Sequence, residues 1–333
     1  MKKRALLFLM VLMCSLVSLT ARPVVIKLGS AAPDNSIWAD SLKRMASEWS
    51  RISDGQIQVK IYFAGFKDES DLIRKMKFNQ LQAGIVTGFG LQELYPNVLA
   101  FSMPFLIQNE EEFSYVLGEM GGLMKEEIGK TDFQLLAFAK AGWVYFYTRD
   151  PVIYPSDLKR MKIASSGTEA ADLMNAMKNI GLQPVNISTE EVLSSLTSGM
   201  VQALYATPIM TGAMQWFGVA DNMADMKVAP FLGGILINDR TWRQIPDEIK
   251  PELIEAAEEI GSELNREIGK LEDDAVEQMK DYGLVVNPIP EDARREWKDL
   301  FDRGRRQSGR TLYSQEFMDQ LEEVIAEYRR GRE

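Results

Sequence analysis

The sequence predicts an α/β chain in two lobes, with mostly parallel sheets flanked by helices and one long helix able to brace both. Three observations predict it. The chain has 333 residues, more than one hydrophobic core usually serves. Stretches with period-two alternation recur between stretches of helical spacing, the order that gives parallel strands with helices on both faces. From Pro251 to Met279 the apolar residues Leu253, Ala257, Ile260, Leu264, Ile268, Leu271, Ala275 and Met279 keep a helical period. Roughly 30 helical residues span about 45 Å, longer than a single lobe needs.

The first residues read as an export signal. Lys2, Lys3 and Arg4 precede an apolar run from Ala5 to Met13 that continues through Leu16, Val17 and Leu19, and Ala21 stands before a polar chain. Residues 1–21 are therefore set apart from the fold, and the protein is expected in the periplasm. Cys14, the single cysteine, lies inside this segment. It is a candidate for a lipid anchor, but Met13 stands where a lipobox normally has a small residue. The formal charge is −10, more negative still once the three basic residues of the signal are removed. Such a surface argues against nucleic acid and anionic lipid as partners.

Val24 to Leu28 is a short strand, Ile37 to Ile52 a helix through Leu42, Met45 and Trp49, and Gly55 to Phe63 an alternating strand. Asp68 to Asn79 is helical and Ala83 to Thr87 strand-like, so the first lobe has a β-α-β-α-β order. Phe133 to Arg149 is extended, aromatic-rich and too long for one ordinary strand. In the second half, Pro155-Ser-Asp-Leu opens a helical turn with Ser156 as its cap, Lys162 to Ser165 is a strand, and Thr168 to Ile180 is a helix ending at Gly181. Ala164, Ser165 and Ser166 then sit at a carboxyl strand end, the edge where ligands sit in open α/β sheets. The stretch from Glu291 to Arg332 is charged and helical. Its basic run, Arg303, Arg305, Arg306 and Arg310, reads as a solvated face.

The chemistry the chain lacks is informative. There is no histidine and no cysteine after Cys14, which excludes Ser-His-Asp and Cys-His catalysis, His- or Cys-built zinc sites and thiol redox chemistry. Ser156-Asp-Leu-Lys159 fits S-x-x-K without its companion motifs and reads as a cap and an exposed lysine. Gly88-Phe-Gly90 lacks the third glycine of a dinucleotide loop. A binding protein, with no cofactor and no metal, is the expected class. Two rivals are a permease-independent carrier of lipid-like molecules and a hydrolase of extracytoplasmic polymers built on paired carboxylates.

Pro155-Ser-Asp-Leu-Lys-Arg-Met-Lys-Ile-Ala164-Ser165 resembles the "P-x-D-L-K-G-x-K-I-R-V" wording of the DctP-like substrate-binding proteins of tripartite ATP-independent periplasmic (TRAP) transporters. Ser53-Asp-Gly-Gln-Ile-Gln-Val-Lys-Ile-Tyr-Phe-Ala-Gly65, Ser102-Met-Pro-Phe-Leu106 and Ser198 to Pro208 resemble further motifs of the family in the right order, so the likeness covers about residues 24 to 330. It implies a two-lobed periplasmic solute-binding fold with a hinge-spanning helix. Lobe I is then 22–142, with 231–270 returning to it, and lobe II is 143–230, with 271–333 packing on it. It also implies capture of a small molecule between the lobes and delivery to a TRAP membrane permease. On this likeness the cleft is lined by Phe89, Trp143, Ala164, Ser165, Tyr205, Thr207 and Met210, with Pro33 and Ser36 from the loop at 32–36.

The departures from the pattern set the expected ligand. The family's carboxylate-pairing arginine is Ala164 here, and Gly142-Trp143 stands where a second basic residue is usual. A buried carboxylate without its arginine loses about 3 to 5 kcal/mol, two to three decades of affinity. Burying 200 Å² of apolar ligand surface supplies about 5 kcal/mol before binding costs. A neutral or hydrophobic solute is therefore expected unless a basic residue enters the cleft from elsewhere. One branch of the family has apolar clefts and works with a tetratricopeptide-repeat accessory protein, and the loss of the arginine places the chain beside that branch.

Overall fold

The structure is a computed structural model that describes residues 23–30, 32, 34, 36–63, 65, 68–166 and 171–332. The expected signal with Cys14, and Pro33, lie outside the described residues. Strands β1 (Val24–Ser30), β2 (Ile57–Tyr62) and β3 (Ala83–Thr87) pair in parallel, joined by helices α1 (Ile37–Ile52) and α2 (Glu69–Lys77). Each helix opens on the short polar residue that precedes it. Ser36 Oγ accepts from Ala39 N–H and Asp68 Oδ1 from Asp71 N–H, satisfying donors that a first turn otherwise leaves unpaired. The apolar stripe Leu42, Met45 and Trp49 of α1 is buried.

Strand β4 (Phe133–Thr148) is one continuous strand shared by two half-sheets. Its Phe133–Val144 portion pairs antiparallel with β9 (Ala229–Asn238), which in turn pairs with β3. Its last four residues pair with β7 (Ala203–Ala206), beyond which lie the parallel strands β5 (Lys162–Ser166) and β6 (Gln183–Ile187). Strands β8 (Asn222–Asp225) and β10 (Val285–Pro288) complete this second half. The overall order is β2-β1-β3-β9-β4-β7-β5-β6. The outer pairs are parallel as expected, whereas every antiparallel pair involves β4 or β9. These two run between the lobes in opposite directions, so the sheet is mixed at its centre.

The remaining elements bind the halves together. Helix α3 (Gly88–Leu91) follows β3, and a 3₁₀ segment (Pro96–Ser102) leads to α4 (Glu110–Gly129). The second half adds α5 (Pro155–Leu158), α6 (Ala171–Asn179), α7 (Val192–Ser198) and α8 (Pro208–Ala213), and α9 (Asp239–Trp242) follows β9. Helix α10 (Lys250–Asp281) runs 32 residues, about 48 Å, and packs on α1, β4 and α8. Trp49 of α1 donates through Nε1 to its Leu253 carbonyl at 2.9 Å.

Two details differ from the sequence reading, and a third falls outside the described residues. Tyr154, not Ser156, caps α5. Proline's fixed φ suits the first helical position, and the Asp157 carboxylate accepts from the Tyr154 and Ile153 amides. Helix α6 is described only from Ala171, so its expected start at Thr168 falls outside the described residues. The C-terminal segment divides. Helix α11 (Glu291–Leu312) buries Trp297, Leu300 and Phe301 against second-half residues such as Phe146 and Ile163. Helix α12 (Gln315–Arg330) instead returns its Phe317, Leu321 and Ile325 stripe to Phe101 and Phe113 of the first half. The Arg329–Glu112 ion pair at 2.7 Å holds it there.

At Gly142 the pairing of β4 with β9 slips. The residue has φ +123°, and a Cβ there would overlap Glu272 Oε1 of α10. Only glycine meets both conditions without strain. The variant Gly142→Ala is expected to lose about 1–3 kcal/mol of stability, read as a lower thermal midpoint. An unchanged midpoint would show that the bulge is not constrained in this way.

Candidate functional site

A cavity of about 550 Å³ opens between the half-sheets, and both sides build its wall with the same local device. In the first half Thr87 ends β3 and caps α3, its Oγ1 accepting from Phe89 N–H at 3.3 Å. In the second Thr207 follows β7 and caps α8, its Oγ1 accepting from Met210 N–H at 3.3 Å. A strand end, a threonine cap and a short helix thus deliver Phe89 from one side and Met210 from the other. Phe89 packs against Phe231 with ring centroids 5.9 Å apart. Trp38, Ile85, Tyr205 and Ile209 extend the apolar wall.

The polar groups of this wall are mostly engaged. Thr87 donates from its amide and hydroxyl to the two oxygens of Glu69 at 3.0 and 2.9 Å. Burial pushes the Glu69 carboxyl above its usual range, against the lowering effect of those bonds. Lys140 is buried, with its ammonium ion-paired to Glu110 and placed 5.9 and 5.7 Å from the rings of Phe113 and Trp143. Its charge is spent inside the protein. Three residues of the wall each carry an enclosed polar atom without a hydrogen-bond partner: Trp216 Nε1, Arg305 Nη1 and Tyr313 Oη.

Of the residues expected at the cleft, Phe89, Tyr205, Thr207 and Met210 come together on this wall, as does Ala32 of the 32–36 loop. Trp143, Ala164, Ser165 and Ser36 do not border it. Trp143 is buried in the core, its backbone N–H donating to Glu272 Oε1 at 2.6 Å and its indole to Glu110 Oε2 at 3.2 Å. The bulge at Gly142 sets it there rather than on the wall. The Ala164 methyl packs with Val192, Leu196, Leu204 and Trp216, and of these only Trp216 reaches the cavity. Ser165 is fully buried in β5, and Ser36 serves as the α1 cap. Pro33 lies outside the described residues.

Arg305 overturns the expectation of a wholly solvated basic run on α11. Its side chain is 11% exposed and lines the cavity. The cause is Gly304, where a Cβ would come within 2.5 Å of Ile180 Cγ2, so α11 lies close against the residues after α6 and carries its neighbour inward. A glycine inside a charged helix was the available signal.

Among the described residues there is no cluster of metal-ligating side chains and no helix long and apolar enough to cross a membrane. Residues 28–308 match bacterial extracellular solute-binding protein, family 7. The chain is 22% identical to the sialic acid-binding periplasmic protein of Vibrio cholerae, over 78% of this chain and 82% of that one. It is 22% identical to a solute-binding protein of Sulfitobacter, over 61% of each chain. Identity to the C4-dicarboxylate-binding periplasmic protein of V. cholerae is 20%, over 60% of each. The match thus spans about three fifths of the last two relatives. Among solved structures, a TRAP periplasmic solute-binding protein of Desulfovibrio salexigens with bound orotic acid superposes with a TM-score of 0.81 at 16% identity, covering 91% of this chain and 99% of that one. One from Pseudomonas putida with bound D-glucuronate gives 0.79 at 19% identity, covering 91% and 97%. The two-lobed fold is the same.

Glu272 joins the hinge bulge to α10. Burial is the main influence on it and pushes its carboxyl up to about 7, against the Trp143 amide, Lys140 and Lys227, with Glu110 adding to the rise. An unfolded glutamate titrates near 4.3, at about the ordinary value, so between that pH and about 7 the folded chain holds the extra proton. Stability contributed by this group therefore falls as pH rises through that window. Thermal midpoints measured from pH 4.5 to 8 should fall less steeply for Glu272→Gln than for the native chain, with Glu69 leaving a residual slope. Equal slopes would remove Glu272 as the cause.

Proposed function

The chain belongs to the bacterial extracellular solute-binding proteins of family 7, and from that premise we propose that it captures a mainly apolar solute between its lobes, outside the inner membrane, and delivers it to a TRAP-type permease. Residues 1–21 serve as the export signal in this reading. The observation that carries it is the wall itself: Phe89, Phe231, Tyr205, Ile209 and Met210 line the cavity, and the nearby ammonium of Lys140 is held by Glu110. Burying about 200 Å² of apolar solute supports roughly 5 kcal/mol before association costs.

The lobes are 22–142 with 231–270, and 143–230 with 271–333, the end of the chain crossing back at α12. Closure over the solute shifts the open–closed equilibrium only as far as the closed form binds it better. An apolar solute also needs shelter from water between this protein and the permease, which is the physical purpose of a tetratricopeptide-repeat accessory partner in the same reading. The relatives named above are described with sialic acid, C4-dicarboxylates, orotic acid and glucuronate. The apolar wall supports a departure from such polar acids.

Native mass spectrometry of the protein purified without unfolding, with organic extraction of what it carries, tests the reading. An apolar molecule should co-purify. Met210→Asp should reduce its retention roughly tenfold or more, because a carboxylate then faces it. Met210 is 44% exposed, so the substitution is compatible with folding. A small polar acid bound with its retention unchanged in that variant would overturn the proposal.

A further inference from the structure

We propose that the bulge in β4 is a proton-sensitive latch on the hinge: a protonated Glu272 holds the two lobes together, and its ionisation lets them part. The inference rests on movement of the lobes about β4 and holds whatever solute they take.

The latch is built from two acceptors on one helix. Strand β4 passes between the half-sheets, and its register against β9 slips between Lys140 and Trp143. The amides at the two edges of the slip both donate to α10, Lys140 N–H to Asn265 Oδ1 at 2.7 Å and Trp143 N–H to Glu272 Oε1 at 2.6 Å. These acceptors lie about two turns apart, so they share one face of the helix. A hinge absorbs lobe movement at a few residues, and here those residues are clamped from one side. Glu272 also lies just behind the cavity wall. A Cβ at Gly142 would meet both its Oε1 and the Cγ2 of Thr207, and Thr207 lines the cavity.

The surroundings of the carboxyl put it under proton control. Glu272 is 5% exposed. From β4 it is faced by Lys140, Tyr145 and Tyr147, from α4 by Glu110, and from the turn before β9 by Lys227. Lys140 is already paired with Glu110, and Lys227 is exposed, its ammonium 5.1 Å from the Trp143 ring. Burial pushes both phenols far above their ordinary range, so they stay neutral. Helix α8, which also packs on α10, has no ionisable side chain. Burial pushes the Glu272 carboxyl up to about 7, against the Trp143 amide and the two lysines. Below that pH the group is neutral and suits a dry site. Above it the carboxylate is better solvated by water, which reaches it when the wall at Gly142 and Thr207 separates. With no histidine in the chain, no side chain of ordinary pKa titrates there in its place. By linkage, a solute that favours the closed form binds more tightly at lower pH.

Electron–electron distance spectroscopy on the full chain without solute tests the latch. Spin labels go on Ser70→Cys and Glu190→Cys, exposed neighbours of the wall residues Glu69 and Thr189 on opposite halves, with Cys14→Ser removing the native thiol. From about pH 5.5 to about pH 8.5 the distances should shift to longer values, with a midpoint at about 7. In Glu272→Gln, which keeps an oxygen for the Trp143 amide but cannot ionise, the low-pH distribution should persist throughout. Lys227→Met, at an exposed position, should move the midpoint to higher pH because it removes a cation that favours the carboxylate. A native distribution that does not change with pH overturns the latch without any variant. A shift that survives in Glu272→Gln overturns it as well and assigns the titration to another group such as Glu69. If Glu272→Gln fails to fold, an unmoved midpoint in Lys227→Met overturns the assignment to Glu272. None of these outcomes touches the apolar reading of the cavity, which the co-purified molecule decides.

Discussion

The carboxyl of Glu272 joins two of the elements that pass between the halves. It accepts the Trp143 amide at the bulge where β4 passes from one half-sheet to the other, and it projects from α10, which packs on α1 in the first half and α8 in the second. A carboxyl oxygen accepting from a backbone amide in a dry site makes a directional bond, and it leaves no room for a side chain at position 142. The bulge, its glycine and the burial of Trp143 follow from that contact. So does the shape of the wall, because the bulge turns Trp143 inward and leaves Lys140, Ala141 and Val144 to face the cavity.

Charge is distributed around the cavity by the same economy. Lys140 lies on its wall but is neutralised by Glu110 and flanked by aromatic rings. Glu69 is half-buried, and its carboxylate accepts from the Thr87 amide and hydroxyl.

Much of the fold was legible in the residues. The helix at Ile37–Ile52, the strand at Ala83–Thr87, the long extended stretch ending at Thr148 and the long helix near Pro251–Met279 all carry a single unambiguous period, and local spacing decides such elements. Part of the cavity wall was legible too: Phe89, Tyr205, Thr207 and Met210 lie at strand ends or helix starts, which motif order alone points to. Family likeness placed Trp143 and Ala164 at the cleft. Their side chains went into the core because a glycine bulge rotates one and a single methyl cannot reach past its neighbours in the other.

By itself the sequence determined the α/β alternation, the division into two halves and the exclusion of histidine- and thiol-based chemistry. Tertiary structure alone decided which side chains face the void. Arg305 reads as one of four arginines on a solvated helix, and its inward position depends on a contact between Gly304 and Ile180, separated by more than a hundred residues in the chain. Tyr313 and Glu272 depend likewise on partners distant in sequence. Periodicity reports which face of a segment is apolar, but burial of a polar group is set by what packs against it, and that information exists only once the chain has folded back on itself.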